Sequence, residues 1–96
     1  MDITELKLKF EVHLATNVSE MEKIRSFRQL KLLLDKYGYF EGAKRLINGK
    51  ETLGLRDLIL ADRVDLSIEY LALLEEFQPL FSEDELKKCR RKLGVF

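Results

Sequence analysis

The chain has 96 residues, enough for one small domain with a modest hydrophobic core. Apolar residues make up 46% of the chain and charged residues 35%, a balance that argues against intrinsic disorder. Seventeen basic and 17 acidic residues cancel to a formal net charge of zero, which disfavours a protein that binds nucleic acid by electrostatics alone.

The first 15 residues carry two competing patterns. Over residues 5–14 apolar and polar residues alternate, which is typical of a half-buried strand; the apolar members are Leu6, Leu8, Phe10, Val12 and Leu14. Asp2 followed by Glu5 resembles a capping box, which favours a helix. No second strand candidate follows, so a lone strand would need another chain to pair with. We expect a helix here, with a strand in a dimer or β-augmented complex as the alternative.

A long second helix is predicted to begin at Ser19, because Glu22 stands at the capping-box position. Its apolar residues recur at helical spacing: Met21, Ile24, Phe27, Leu30, Leu33, Leu34 and Tyr37. Gly38 follows as a residue that can leave the helix in a left-handed conformation. A short third helix is predicted from Tyr39 to Ile47, before the turn residues Asn48 and Gly49.

Three more helices are predicted downstream. A fourth covers about Gly54 to Asp62, and a fifth, capped by Asp65 or Ser67, ends near Phe77. After Pro79, Ser82 and Glu85 form a capping box for a last helix, from Glu83 to Leu93, which Gly94 ends. The sequence thus predicts an all-α fold, a compact single-domain bundle of five or six helices over residues 1–96.

No pattern in the sequence predicts catalysis. His13 and Cys89 are the only residues of their types, and neither has neighbours that suggest a nucleophile and its base. One histidine and one cysteine give no zinc-site spacing, and the residues around Gly49 lack the spacing of a phosphate-binding loop. We expect no enzyme activity, no cofactor or metal and no small-molecule substrate, with Cys89 in the core and His13 facing solvent.

Three features bear on localisation. A single cysteine excludes an intramolecular disulfide and fits a reducing compartment. No apolar run approaches the ~18 residues of a membrane span, and the first residues lack the apolar region of a signal peptide. We therefore expect a cytoplasmic protein without membrane association.

Residues 54–75 resemble the helix-turn-helix of the phage-repressor (Cro-like) family. The resemblance lies in an apolar framework with Ala61 in the first helix and Ser67 opening the second, and it implies a DNA-reading second helix. The outward positions of that helix are here Ile68, Glu69, Ala72 and Leu73, and none of them is cationic. Asp57 and Asp65 stand where the family commonly has Gln and Gly. Residues 51–82 contain two basic and seven acidic residues, which would repel a phosphate backbone.

A second resemblance covers about a third of the chain. It is carried by Asp65, Leu66, Ser67 and Glu69, followed by Leu80, Phe81, Ser82, Glu85 and Leu86. This pattern is similar to that of a group of small bacterial helical proteins, and it implies a helical fold without implying an activity.

The sequence therefore favours a non-catalytic helical module that binds a protein partner, with self-association as one form of that binding. The predicted interaction surface has an apolar centre beside acidic residues, as interfaces often do; it comprises Ile68, Glu69, Ala72, Leu73 and Glu76. The alternative is that this helix is central and buried nearly all round, with Ile68, Leu71 and Leu74 packing inward. A predicted basic patch on the last helix would meet an acidic partner or a phosphate backbone; it comprises Lys87, Lys88, Arg91 and Lys92. The alternative function is a helix-turn-helix transcriptional regulator, with nucleic-acid binding disfavoured by the acidic charges.

Overall fold

The computed structural model describes residues 2–50 and 53–94 of the chain. Within these two ranges there are six α-helices, two 3-10 turns and no strand. The helices are α1 (Ile3–Glu22), α2 (Arg28–Tyr37), α3 (Tyr39–Asn48), α4 (Leu55–Leu60), α5 (Ile68–Leu73) and α6 (Glu83–Leu93), and the 3-10 turns are Val64–Leu66 and Gln78–Leu80. The Cα radius of gyration is 12.3 Å, as expected for one domain of this size. The predicted all-α bundle is confirmed.

The N-terminal residues form a helix, α1, and not the strand that was the alternative. Its cap is Asp2, whose Oδ1 accepts a hydrogen bond of 2.9 Å from the Glu5 amide. The prediction that a new helix begins at Ser19 is wrong, because α1 continues through Ser19 to Glu22. Val18 and Met21 continue the buried stripe of α1, so tertiary burial extends the helix past a local start signal.

The segment that separates α1 from α2 is held in place by contacts with the start of α4. The ring of Phe27 lies against Gly54, whose φ is +79°, and a Cβ on Gly54 would stand 2.4 Å from Phe27 Cδ1. Nearby, Arg25 pairs with Asp57 at 2.9 Å. Phe27 therefore does not continue the helical stripe that its spacing predicts; it lies before α2 and fixes the position of the α4 N-terminus.

Helix α3 runs from Tyr39 to Asn48, one residue longer than predicted, and packs against α2. Helix α6 has the predicted limits: Ser82 and Glu85 form a complete capping box, and Gly94 ends the helix with a φ of +78°. Both helices are specified by signals within a few residues of their ends.

Helix α5 is much shorter than predicted, because the chain becomes extended at Leu74 instead of remaining helical to Phe77. The turn that follows brings the Phe77 ring against Phe10, with ring centroids 5.3 Å apart. Gln78 Nε2 donates a 2.8 Å hydrogen bond to the Leu73 carbonyl at the helix end. Packing of Phe77 into the aromatic centre of the core, which also contains Phe40 and Phe81, thus ends α5 early.

Candidate functional site

The predicted interaction surface on α5 lies mostly inside the protein. Ile68, Glu69 and Ala72 are fully buried, and Leu73 is half-buried. Glu76 is exposed and forms a 2.7 Å ion pair with Lys9 of α1. The prediction that these residues form one outward face is therefore wrong for three of the five. The physical reason is that α6 and α3 pack across the short α5, which leaves it little outward surface.

The buried carboxylate of Glu69 is the most unusual feature of α5. Only 1% of the residue is exposed, and its Oε2 atom has no hydrogen-bond partner. A narrow internal gap borders it, with apolar walls that include Met21, Leu30 and Leu58. Burial raises the pKa of Glu69 above the ordinary carboxyl value, and a hydrogen bond from its own backbone amide and the positive charge of Lys92 offset only part of this rise. Such surroundings favour the protonated form of the carboxyl more than water does.

Helix α6 supplies two titratable groups that interact electrostatically with Glu69. Cys89 is fully buried, which confirms its predicted place in the core, and burial together with the Glu69 charge raises the pKa of its thiol to about 12. Lys92 Nζ donates a 2.7 Å hydrogen bond to the Leu46 carbonyl of α3, and burial lowers the pKa of this ammonium group. A thiol with so high a pKa is a poor nucleophile near neutral pH.

The predicted basic patch is divided between surface and interface. Lys87 and Arg91 are exposed. Lys88 pairs with Asp84 at 3.1 Å and donates a 3.0 Å hydrogen bond to Asn48 Oδ1, so this lysine joins α6 to α3. Lys92 makes the hydrogen bond to α3 described above. The structure therefore brings the four residues to one helix but leaves only two of them mainly in solvent.

Glu85 holds the other end of the contact between α6 and α3. Its carboxylate accepts a 2.8 Å hydrogen bond from Asn48 Nδ2 and lies 3.3 Å from Lys44 Nζ. Burial acts to raise the pKa of Glu85, but the Ser82 amide, Asn48 and Lys44 together bring it below the ordinary value. Glu85 and Glu69 are both buried glutamates, but the hydrogen bonds and the lysine around Glu85 outweigh its burial, whereas the groups around Glu69 do not.

An exposed apolar surface that the sequence reasoning missed lies at the C-terminal end of α4. Ile59, Leu60 and Ala61 are three consecutive exposed residues, and Leu60 has 74% of its surface in solvent. Leu55 and Leu58 occupy the buried side of the six-residue helix. The helical spacing of Leu55 and Leu58 could have shown which side of this helix is buried. The likeness to a repressor instead assigned Leu60 and Ala61 to an internal framework. We call Ile59, Leu60 and Ala61 the α4 corner.

The charges around the α4 corner are largely paired within the protein. Asp57 pairs with Arg25 at 2.9 Å, and Asp65 pairs with Arg63 at 3.2 Å. Asp62, directly after the corner, is exposed and adopts a φ of +58°. The corner is thus an apolar projection within a polar rim that carries three carboxylates.

Helix α1 has a second outward apolar face. Leu8 and Val12 are each 61% exposed, and Ala15 is exposed one turn further along. Their spacing of four and three residues places them on one side of the helix. His13, on another side, is exposed as predicted, with its ring centroid 5.9 Å from that of Phe77.

Three further observations concern a surface cleft, metal ligands and membrane spans. A surface cleft of about 390 Å³ lies between α1 and α2. It is lined by Glu22, Ser26, Phe27, Arg28, Lys31 and Leu32. Among residues 2–50 and 53–94, no group of three or more His, Cys, Asp or Glu side chains could hold a metal ion. No helix in the same ranges has the length and apolar character needed to cross a lipid bilayer.

No protein-family model, no curated protein and no solved structure matches this chain. The resemblance of residues 54–75 to a repressor helix-turn-helix, and that of residues 63–93 to small bacterial helical proteins, therefore remain predictions.

Proposed function

We propose that this protein is a non-catalytic interaction module that binds a protein partner through the α4 corner. The observation that carries the proposal is the exposure of three consecutive apolar residues, led by Leu60. Isolated exposed apolar side chains are common, whereas a contiguous run on a small helical protein is characteristic of a binding surface. Burial of a leucine or isoleucine side chain contributes about 1.5–3 kcal/mol, so two such anchors are a useful share of a binding free energy.

The surroundings of the corner favour a protein over a nucleic acid. Asp57 and Asp65 are paired with Arg25 and Arg63, so the rim offers a phosphate backbone no surplus of cations. An apolar centre within a polar rim is the usual anatomy of a protein interface. Because Ile59 and Leu60 make no core contacts that the fold requires, changing them separates loss of binding from loss of folding.

Site-specific photo-crosslinking in the native cell tests this proposal. A photo-reactive amino acid at position 60 should give one discrete adduct, and Ile59→Glu in the same chain should abolish it. The matched control places the same group at position 12, on the equally apolar outer face of α1. The mass of the adduct distinguishes a second copy of this chain from a different protein.

Each outcome bears on the proposal. An adduct at position 60 that Ile59→Glu removes supports the α4 corner. An adduct only at position 12 would show that the interface is on α1 and would refute binding through the α4 corner. Absence of an adduct at both positions would argue against an interaction module altogether.

The repressor-like alternative has one supporting observation, the exposure of Lys87 and Arg91 on α6. Against it, Ile68, Glu69 and Ala72 occupy the reading positions of α5 and are buried. A gel-shift titration at low salt would favour the alternative if the protein shifts DNA and the paired change Lys87→Glu with Arg91→Glu removes the shift.

A further inference from the structure

We propose that the partner bound by the α4 corner is the α4 corner of a second copy of this chain, in a two-fold dimer whose α4 helices run antiparallel. The dimer rests on the proposed function, binding through the α4 corner, and adds the identity of the partner. Three observations support it: an unpaired charge on each side of the corner, the equal spacing of these charges from Ile59, and the zero net charge of the chain.

The first observation is a pair of charged residues that border the corner. Arg56 and Asp62 are both exposed. In the part of the chain that the structure describes, neither side chain belongs to an ion pair, whereas the neighbouring Asp57 is paired with Arg25 at 2.9 Å. The corner therefore has one positive and one negative charge that the fold leaves available to a partner.

The second observation is where these two charges lie relative to the apolar centre. Arg56 precedes Ile59 by three residues and Leu60 by four, so the three side chains share the outward side of α4. Asp62 follows Ile59 by three residues. The corner thus has an apolar centre with a cation before it and an anion after it, at equal distances along the sequence.

A two-fold axis near Ile59 makes this surface complementary to itself. In an antiparallel pair of α4 helices, Arg56 of each copy lies opposite Asp62 of the other copy. The side chains of Ile59 and Leu60 from both copies then pack between the two ion pairs. A parallel pair would place like charges against each other, which is repulsive. A two-fold dimer requires one patch that is complementary to itself, and the antiparallel arrangement meets this requirement.

The third observation is the charge of the whole chain. Its 17 basic and 17 acidic residues give a formal net charge of zero, so two copies can approach each other without long-range repulsion. A different protein would need its own apolar centre with the same two charges in reverse order. A second copy has that arrangement by symmetry.

The small extent of the corner limits the strength of the dimer. Standard interfaces bury about 800 Å² on each partner, and a surface centred on Ile59, Leu60 and Ala61 is smaller than that. We therefore expect a reversible dimer with a dissociation constant on the order of 100 μM. Because the two ion pairs lie at the edge of the contact, added salt should weaken it.

Charge exchange followed by sedimentation equilibrium tests the arrangement, at low salt and up to about 1 mM protein. Arg56→Glu and Asp62→Lys should each weaken dimerisation by about tenfold, because each change places two like-charge contacts across the axis. The double variant Arg56→Glu with Asp62→Lys re-forms both ion pairs in reverse and should recover dimerisation. An equimolar mixture of the two single variants should dimerise for the same reason.

A control variant separates this effect from a change of net charge. Lys87→Glu makes the same charge reversal as Arg56→Glu at an exposed position on α6, so it should leave dimerisation unchanged. Circular dichroism of each variant checks that the helices are retained. All the exchanged residues are exposed, and we expect no loss of helix.

Each result supports or overturns the second copy as the partner. Recovery in the double variant supports the antiparallel dimer. An unmodified chain that stays monomeric at about 1 mM refutes it, without reliance on any variant. A dimer that the single changes do not weaken, or that the double variant does not recover, refutes the antiparallel pairing of the corners. The proposed function fails separately: a crosslinked adduct at position 60 with the mass of a different protein keeps the α4 corner as a binding surface and excludes the second copy as its partner.

Discussion

Helices α5 and α6 pack against each other but have their ends specified in different ways. Helix α6 starts at a capping box and stops at Gly94, both signals lying in the adjacent sequence. Helix α5 has a local start, since Ser67 Oγ accepts a 3.1 Å hydrogen bond from the Tyr70 amide, but no local stop. Its end is imposed by Phe77, which belongs to the aromatic cluster. The contrast shows that a helix with signals at both ends has predictable limits. A helix without a local stop signal ends where packing of distant residues requires it.

The largest expected effect comes from removing the distant packing. Phe77→Ala should lower the free energy of unfolding by about 3–5 kcal/mol, because it leaves a cavity beside Phe10 in the centre of the core. Urea denaturation measures the change. Phe40→Ala, at a half-buried position of the same cluster, is the control and should cost clearly less. Equal losses would contradict the central role assigned to Phe77.

A smaller effect distinguishes two glycines that share a left-handed backbone. Gly54→Ala should destabilise the protein by about 2–3 kcal/mol, because the strain of a positive φ is joined by a collision with the Phe27 ring. Gly94→Ala has open space around the new Cβ and should cost only about 1 kcal/mol. Thermal unfolding followed by circular dichroism ranks the two. The reverse order would mean that Phe27 does not hold the start of α4.

Loss of the α6 cap should have a still smaller effect. Ser82→Ala removes the acceptor for the Glu85 amide and should cost about 1 kcal/mol. The loss should appear mainly as faster hydrogen exchange at the start of α6, with α5 less affected. Ser82→Asp is the control, because aspartate also caps helices and should restore most of the stability. Equal destabilisation by both changes would argue that the cap is not the source of the effect.

The smallest effect is expected at the α4 corner. Leu60→Ala should change the free energy of unfolding by less than about 0.5 kcal/mol, because the side chain is already in solvent. Leu58→Ala, two residues earlier and buried, should cost about 2–5 kcal/mol. A large loss at Leu60 would mean that the corner is part of the core and would weaken its assignment as a binding surface.

The sequence predicted the parts of this fold whose causes are local. The limits of α6, the extent of α3 within one residue and the cap at Asp2 all follow from residues close to each helix end. The junction between α1 and α2 could not be predicted in this way, because the stripe of α1 continues through Ser19 and Phe27 packs on a glycine 27 positions away.

The candidate site was harder to predict than the fold. The repressor resemblance placed Ile68, Glu69 and Ala72 on the outward side of the helix, whereas the structure buries all three, as the alternative of a helix buried nearly all round predicts. The α4 corner was missed because the same resemblance placed Leu60 and Ala61 in an internal framework. Both errors have one origin, since the repressor resemblance, and not the helical spacing, assigned the outward and inward positions.

The burial of Cys89 has a practical consequence. It is the only cysteine in the chain, it is fully buried on α6, and its thiol has a pKa of about 12. A thiol-specific reagent can react only when local or global opening of the fold exposes this side chain. The rate of alkylation of the unmodified protein, followed by intact mass, therefore measures how often the Cys89 thiol becomes exposed.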